Sequence, residues 1–259
     1  MNGNDLFHGL HRHNFFFILA IRKGSGRHEI DFTPYKVIEN SVFFLRPGQV
    51  HQLELKAGSI GYLLEFDNEF YPPKEHSSAR RLRKASNKNH CILEIGRFNK
   101  VYNTLAYMFE EFTAREPGYN EIIQSNLDIL CIEYARQSAN PAVATTASLS
   151  YTQERFEDFL ELLQKHITTH KQVAEYLGLM HLSAYQLNGI TKSSVGKSAS
   201  ELIIDQVILE AKRYLLATPN QVKDVAELLG YEDVSYFIRF FKKHTGYSPE
   251  AFRHRFTRS

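Results

Sequence analysis

The chain has no tryptophan, only two cysteines and only three methionines in 259 residues. Cys91 and Cys131 form no CxxC pair. A disulfide framework is therefore not expected, and both thiols read as reduced. Long apolar runs are also missing. Phe15–Ile21 is seven residues, too short for a membrane span or for a signal core with its cleavage site. It reads as a buried strand in a protein expected to be cytoplasmic, with no membrane partner. The net charge is only +2, which excludes a uniformly basic nucleic-acid binder. The basic residues are instead concentrated near the C-terminus. Arg239, Lys242, Lys243, Arg253, Arg255 and Arg258 face one acid, Glu250, a net +5 across residues 239–258. A local patch suffices for phosphate contact and makes affinity salt-dependent.

That patch overlaps the most specific pattern in the chain, Val222–Arg253. Val225, Ala226, Leu228 and Leu229 give a short helix an apolar stripe. Gly230 follows where a tight turn needs a left-handed residue. The next helix places Phe237, Phe240 and Phe241 on one side and Ser235, Ile238, Arg239, Lys242 and Lys243 on the other. A helix with one buried face and one basic face suits the major groove of DNA.

A second copy lies about 50 residues earlier. Although VAEYLG echoes VAELLG, the better register pairs Val173 with Val222, Tyr176 with Val225, Met180 with Leu229 and His181 with Gly230. Leu187, Ile190, Lys192 and Gly196 then pair with Phe237, Phe240, Lys242 and Gly246, with one residue gapped in the turn. Capping boxes are expected at Thr169–Gln172, Ser183–Gln186 and Ser198–Glu201, and Ser248-Pro249 reads as a cap before a first-turn proline.

Ala226, Leu229, Gly230, Phe237, Arg239, Phe240, Phe241, Lys242, Gly246, Ser248, Pro249 and Phe252-Arg253 together resemble the second DNA-binding subdomain of the AraC/XylS family of bacterial transcription regulators. A weaker likeness extends over residues 152–256. The resemblance implies two DNA-reading helices joined by the helix Ala199–Leu216. It also implies contact with RNA polymerase, activation of transcription and a homodimer. The candidate DNA contacts are Tyr185, Asn188, Lys192 and Ser193 in the first helix, and Ser235, Tyr236, Arg239, Lys242 and Lys243 in the second. Arg239 suits a bidentate contact to guanine and Asn188 one to adenine, while Lys242 and Lys243 suit phosphates. Gly189 leaves a gap on the first reading face.

The N-terminal half has a different texture. Phe15–Arg22, Gly26–Phe32, Tyr35–Ile38, Ser41–Leu45, His51–Leu55 and Gly61–Phe66 read as short strands, a pattern typical of a sandwich or small barrel. His11-Arg12-His13 and Pro47–His51 resemble parts of the cupin motifs, which implies a sensor domain ahead of the DNA-binding half. His11, His13, Phe15, Phe17, Tyr35, His51 and Tyr62 are the candidate contacts for a small-molecule effector. Metal cupins add a glutamate soon after the HxH pair; here Asn14–Ile18 follow, and Glu29 is the first acid. No metal, cofactor or catalytic residue is therefore expected. His166 and His170, spaced i, i+4, read as surface residues.

Arg97–Arg115 and Tyr119–Ala135 carry apolar residues at helical spacing around Glu116-Pro117-Gly118, a helical hairpin that packs on the barrel or forms a dimer interface. Arg80–Lys84 reads as a solvated basic loop. The expected organisation is α+β and multidomain. Residues 1–137 form a cupin-like β-barrel with a helical hairpin, 138–151 a linker, and 152–259 an all-α double helix-turn-helix domain. The function this supports is a sequence-specific DNA-binding regulator controlled by a small effector. The alternatives are a cupin-type metal-dependent enzyme with a DNA-binding tail, and an effector-independent DNA-binding protein.

Overall fold

Strand β2 (Phe16–Lys23) organises the N-terminal half, because Phe16 through Ile21 are all buried. Such a run marks a strand covered on both faces. Phe17, Leu19 and Ile21 join the core between two sheets, while Phe16, Ile18 and Ala20 join a second core shared with helices. The structure, a computed structural model, describes residues 4–72, 76–138 and 147–257. Contacts divide the chain into two units, Met1–Ala144 and Thr145–Ser259.

In the first unit, β1 (Leu6–Arg12), β3 (Gly26–Ile30), β4 (Thr33–Val37) and β6 (Val50–Leu55) form an antiparallel sheet in the order β1-β6-β3-β4. The second sheet runs β7-β2-β5-β8, with β5 Ser41–Leu45, β7 Ile60–Phe66 and β8 His90–Ile92. The two sheets enclose Phe17, Ile30, Phe43, Leu45, Leu53 and Leu55. Strand β1 is additional to the strands expected from the sequence. None of its residues is fully buried, so its apolar signal is weak, and pairing with β6 holds it in place.

The outer face of the second sheet is covered by α1 (His76–Ser86), α2 (Ile95–Ala114) and α3 (Tyr119–Ser138). The α2–α3 hairpin is as expected, and its turn uses Arg115 and Gly118 at positive φ (51° and 87°). The stretch Arg80–Lys84, read as a loop, is instead part of α1. Leu82 and Ala85 lie in the core, and Arg81 donates to Asp128 of α3 at 2.8 Å. Both cysteines are buried, and burial raises the Cys131 thiol to about 12.

The second unit is wholly helical: α4 Ala147–His166, α5 Val173–Met180, α6 Ala184–Val195, α7 Ala199–Ala217, α8 Val222–Leu228, α9 Val234–Thr245 and α10 Pro249–Thr257. Residues 139–146 of the expected linker lie outside the described residues, and residues 147–151, read as linker, are helical in α4. Helix α7 serves two cores. Ala199, Ile203 and Val207 pack with α4, α5 and α6, while Ile208, Ala211 and Leu215 pack with α8, α9 and α10.

Candidate DNA interface and effector sites

The two helix-turn-helix units repeat position by position apart from one extra residue in the second turn. Gln172 and Gln221 cap α5 and α8, each with a reciprocal bond to the acid three positions on, Glu175 and Asp224. The first of these replaces the box expected at Thr169–Gln172. His181 and Gly230 follow in matching left-handed conformations, φ 52° and 72°. Ser183 and Asp233 cap α6 and α9, and Gly196 and Gly246 end them at φ 72° and 81°. Leu187 and Phe237 are fully buried at one matching position, Thr191 and Phe241 at the next. The boxes at Ser183 and Ser198 form as expected, and Ser248 Oγ accepts from Ala251 N.

This frame turns one face of each reading helix outward. On α9, Ser235, Tyr236, Arg239, Lys242 and Lys243 are exposed. Arg239 leans toward Asp233 at 3.8 Å, with both side chains about two-thirds exposed (68% and 64%). An ion pair so open to water holds the guanidinium by about 1 kcal/mol at most, which leaves it available to a base edge. On α6, Tyr185 is 89% exposed, and Lys192 and Ser193 are exposed beside it. Gly189, which aligns with Arg239, lines a cleft of about 210 Å³ with Gln186, Ser193, Tyr151 and Thr152.

Asn188 departs from expectation. It is half-buried, and its Oδ1 accepts from the backbone N–H of Ala199 at the start of α7. Its counterpart Ile238 packs toward the core of the second unit. Position 188 therefore serves the α6–α7 junction, and the acceptor that a bidentate adenine contact requires is engaged. Arg253 also turns inward, donating to the carbonyls of Leu215 in α7 and of Asn220 in the connection to α8. The basic patch is thereby smaller than its sequence count.

In the first unit the expected effector residues separate into groups. His11, His13, Phe17 and His51 meet between the sheets. The His11 and His51 rings are 4.3 Å apart, and those of Phe17 and His51 5.0 Å. Phe15 stacks on His13 with ring centroids 4.0 Å apart. Tyr35 is elsewhere, against Phe43 and His90. Tyr62 lies across the second sheet, where its ring meets Tyr102 and Phe109. There it borders an apolar cleft of about 450 Å³ with Leu64, Phe66, Leu105, Met108 and Phe112. Strand parity separates Tyr62 from the histidines, because its β2 partner Ala20 faces the helices.

His28 joins the three histidines in the cluster's innermost layer. Its Nε2 lies 2.9 Å from His51 Nδ1, and His51 Nε2 lies 3.1 Å from His13 Nε2. His13 Nδ1 donates to the Phe15 carbonyl at 3.0 Å, and His11 Nδ1 to the Gly9 carbonyl at 2.8 Å. A carbonyl only accepts, so in the neutral rings both His11 and His13 keep Nε2 as a bare lone pair. His51 then donates from Nε2 to His13, and His28 from Nε2 to His51. Burial first, then neighbouring histidines, lowers His51 to about 2 and His28 to about 3.

A double helix-turn-helix unit with a basic second reading helix, carried with a cupin-like β-sandwich, defines a DNA-binding protein with a ligand-binding half. Residues 2–77 match the AraC-like ligand binding domain, and residues 173–255 match a helix-turn-helix domain. The HTH-type transcriptional activator RhaR of Yersinia pestis is 23% identical over 256 residues, covering 96% of this chain and 86% of that protein. RhaR of Pectobacterium carotovorum is 23% identical over 264 residues, covering 95% and 86%. ToxT of Vibrio cholerae aligns over 97% of each chain at 16% identity, with a TM-score of 0.49. The chain belongs to the AraC family and is an effector-controlled, DNA-binding transcription regulator.

Proposed function

We propose that this chain is a cytoplasmic transcription activator, without enzymatic activity, that reads two successive major-groove segments on one face of DNA. The observation that carries this is the repeat of cap, left-handed turn and buried anchors in α5–α6 and α8–α9. One helix, α7, holds both copies in fixed relation. Its 19 residues span roughly 28 Å at the α-helical rise, a length comparable to one turn of DNA. Arg239 reads a base, and Tyr185, Lys192, Ser193, Ser235, Tyr236, Lys242 and Lys243 contact groove edges and phosphates. A footprint of the full-length protein on DNA tests this. Protection of two patches about one helical turn apart is expected, and a single patch overturns it.

The effector in this reading is a small, largely apolar molecule bound in the cleft beside Tyr62. Its volume, about 450 Å³, lies within the usual range for ligand sites, whereas the space between the sheets is filled by Phe17, Phe43 and Leu53. Binding alters transcription by favouring one arrangement of the protein over another. Thermal stabilisation by such a molecule, lost in Leu64→Arg, is the expected result. Stabilisation kept in that variant places the effector elsewhere. Family membership supports a homodimer and contact with RNA polymerase. Sedimentation of the free protein and pull-down of the polymerase test those two points.

A further inference from the structure

We infer that His11, His13 and His51 form a binding site for one divalent transition-metal ion. Ligand atoms of the three lie within 4.8 Å of one another. His13 Nε2 and His51 Nε2 are 3.1 Å apart. Two imidazole nitrogens bound to one metal at the usual bond length are separated by about 2.9–3.4 Å. This edge of a coordination shell is therefore already formed, and a small rotation of half-exposed His11 completes a three-nitrogen face.

The outer partners point the same way. A ligating imidazole usually donates its second N–H to a carbonyl or another fixed acceptor, which sets the tautomer and aims the lone pair. His11 and His13 both do so, through the Gly9 and Phe15 carbonyls. His51 has the equivalent partner in His28. Among these four rings lone pairs outnumber protons at the shared point, and His28 Nδ1 is buried with no partner. A metal ion satisfies three lone pairs at once. His51 then carries its proton on Nδ1, donating to His28 Nε2, and the His28 proton moves to Nδ1. No ring gains or loses charge.

Three imidazoles without a carboxylate suit zinc, cobalt, nickel or copper rather than magnesium or calcium. The face left open by three protein ligands can take water. Glu29 does not contribute, being paired with Arg27 at 2.9 Å on the strand face opposite His28. The inference is independent of DNA reading, since metal uptake is measured without DNA.

The test is titration of chelator-treated full-length protein with Co²⁺, read by visible absorption and by metal content after desalting. One Co²⁺ per chain with ligand-field bands is expected. His13→Gln and His51→Gln lose it, and His28→Phe weakens it about 10–100-fold. His11→Gln, at a half-exposed position, serves if a buried variant fails to fold by circular dichroism, and it too is expected to lose the ion. A His166→Gln/His170→Gln variant, which removes the other close histidine pair (rings 5.0 Å apart), is expected to bind normally. Absence of Co²⁺ binding, unchanged binding in the folded His11, His13 and His51 variants, or loss in the His166/His170 variant overturns the assignment.

Discussion

The carbonyl oxygen of Thr168 lies 2.0 Å from where a Cβ on Gly230 would sit. Gly230 is the turn residue of the second helix-turn-helix unit, and Thr168 lies between α4 and α5, just ahead of the first unit. Lys171 reinforces the junction, donating to both the Thr168 and Gly230 carbonyls and lying over the Tyr231 ring at 5.0 Å. Gly230 thus answers two demands, a left-handed backbone (φ 72°) and a close approach between the two reading units. His181, its counterpart, meets only the first demand.

Gly230→Ala is expected to destabilise the helical unit by at least ~1–3 kcal/mol, the cost of a strained backbone before the clash is added. His181→Gly should change stability by no more than about 1 kcal/mol, because relief of strain is offset by a freer unfolded chain. Urea unfolding followed by circular dichroism measures both. Equal effects of the two substitutions would show that the Thr168 contact carries no weight.

Arg239→Ala is expected to weaken specific DNA binding by ~1–3 kcal/mol and relax preference at one base. Lys242→Ala should weaken binding to all sequences alike and lower the salt slope by about one. Competition binding over a salt series separates the two. A base-specific loss in Lys242→Ala would mean that the reading face is rotated from the one described.

Asn188→Ala is expected to cost stability, about 1 kcal/mol for the bond to Ala199 N, and to leave base preference unchanged. Selection of bound sequences with the variant tests this. A lost preference for adenine would return Asn188 to the reading face.

Acid should weaken the N-terminal unit partly through His90. Burial, then the charge of Lys88, holds its imidazole below the ordinary 6.5. The folded chain keeps it neutral where the unfolded chain binds a proton. Its contribution is therefore complete above about pH 6.5 and is lost as pH falls below that value. His90→Phe retains a ring against Phe43 and removes the titration. Its Tm should fall less than that of the wild type between about pH 7.5 and about pH 5.5. An equal fall would exclude His90.

The C-terminal half was legible because its apolar residues follow the helical period and its turns carry glycine. The register pairing His181 with Gly230 was readable from spacing alone, and the matching left-handed backbones bear it out. Asn188 was misread because helical period places it at the edge of the outward face, while its bond to Ala199 depends on where α7 returns. Strand β1 was missed because none of its residues is fully buried, and α1 because Leu82 and Ala85 are few among basic neighbours. Tyr62 was grouped with the histidines because sequence carries no strand parity until the partner across the sheet is known.

Whether the chain reads two DNA segments is measured by selecting bound genomic fragments with the purified protein at physiological salt. An enriched motif with two half-elements about one helical turn, roughly 10 bp, apart is expected. Salt-sensitive binding with no enriched motif, or no binding at all, would contradict it.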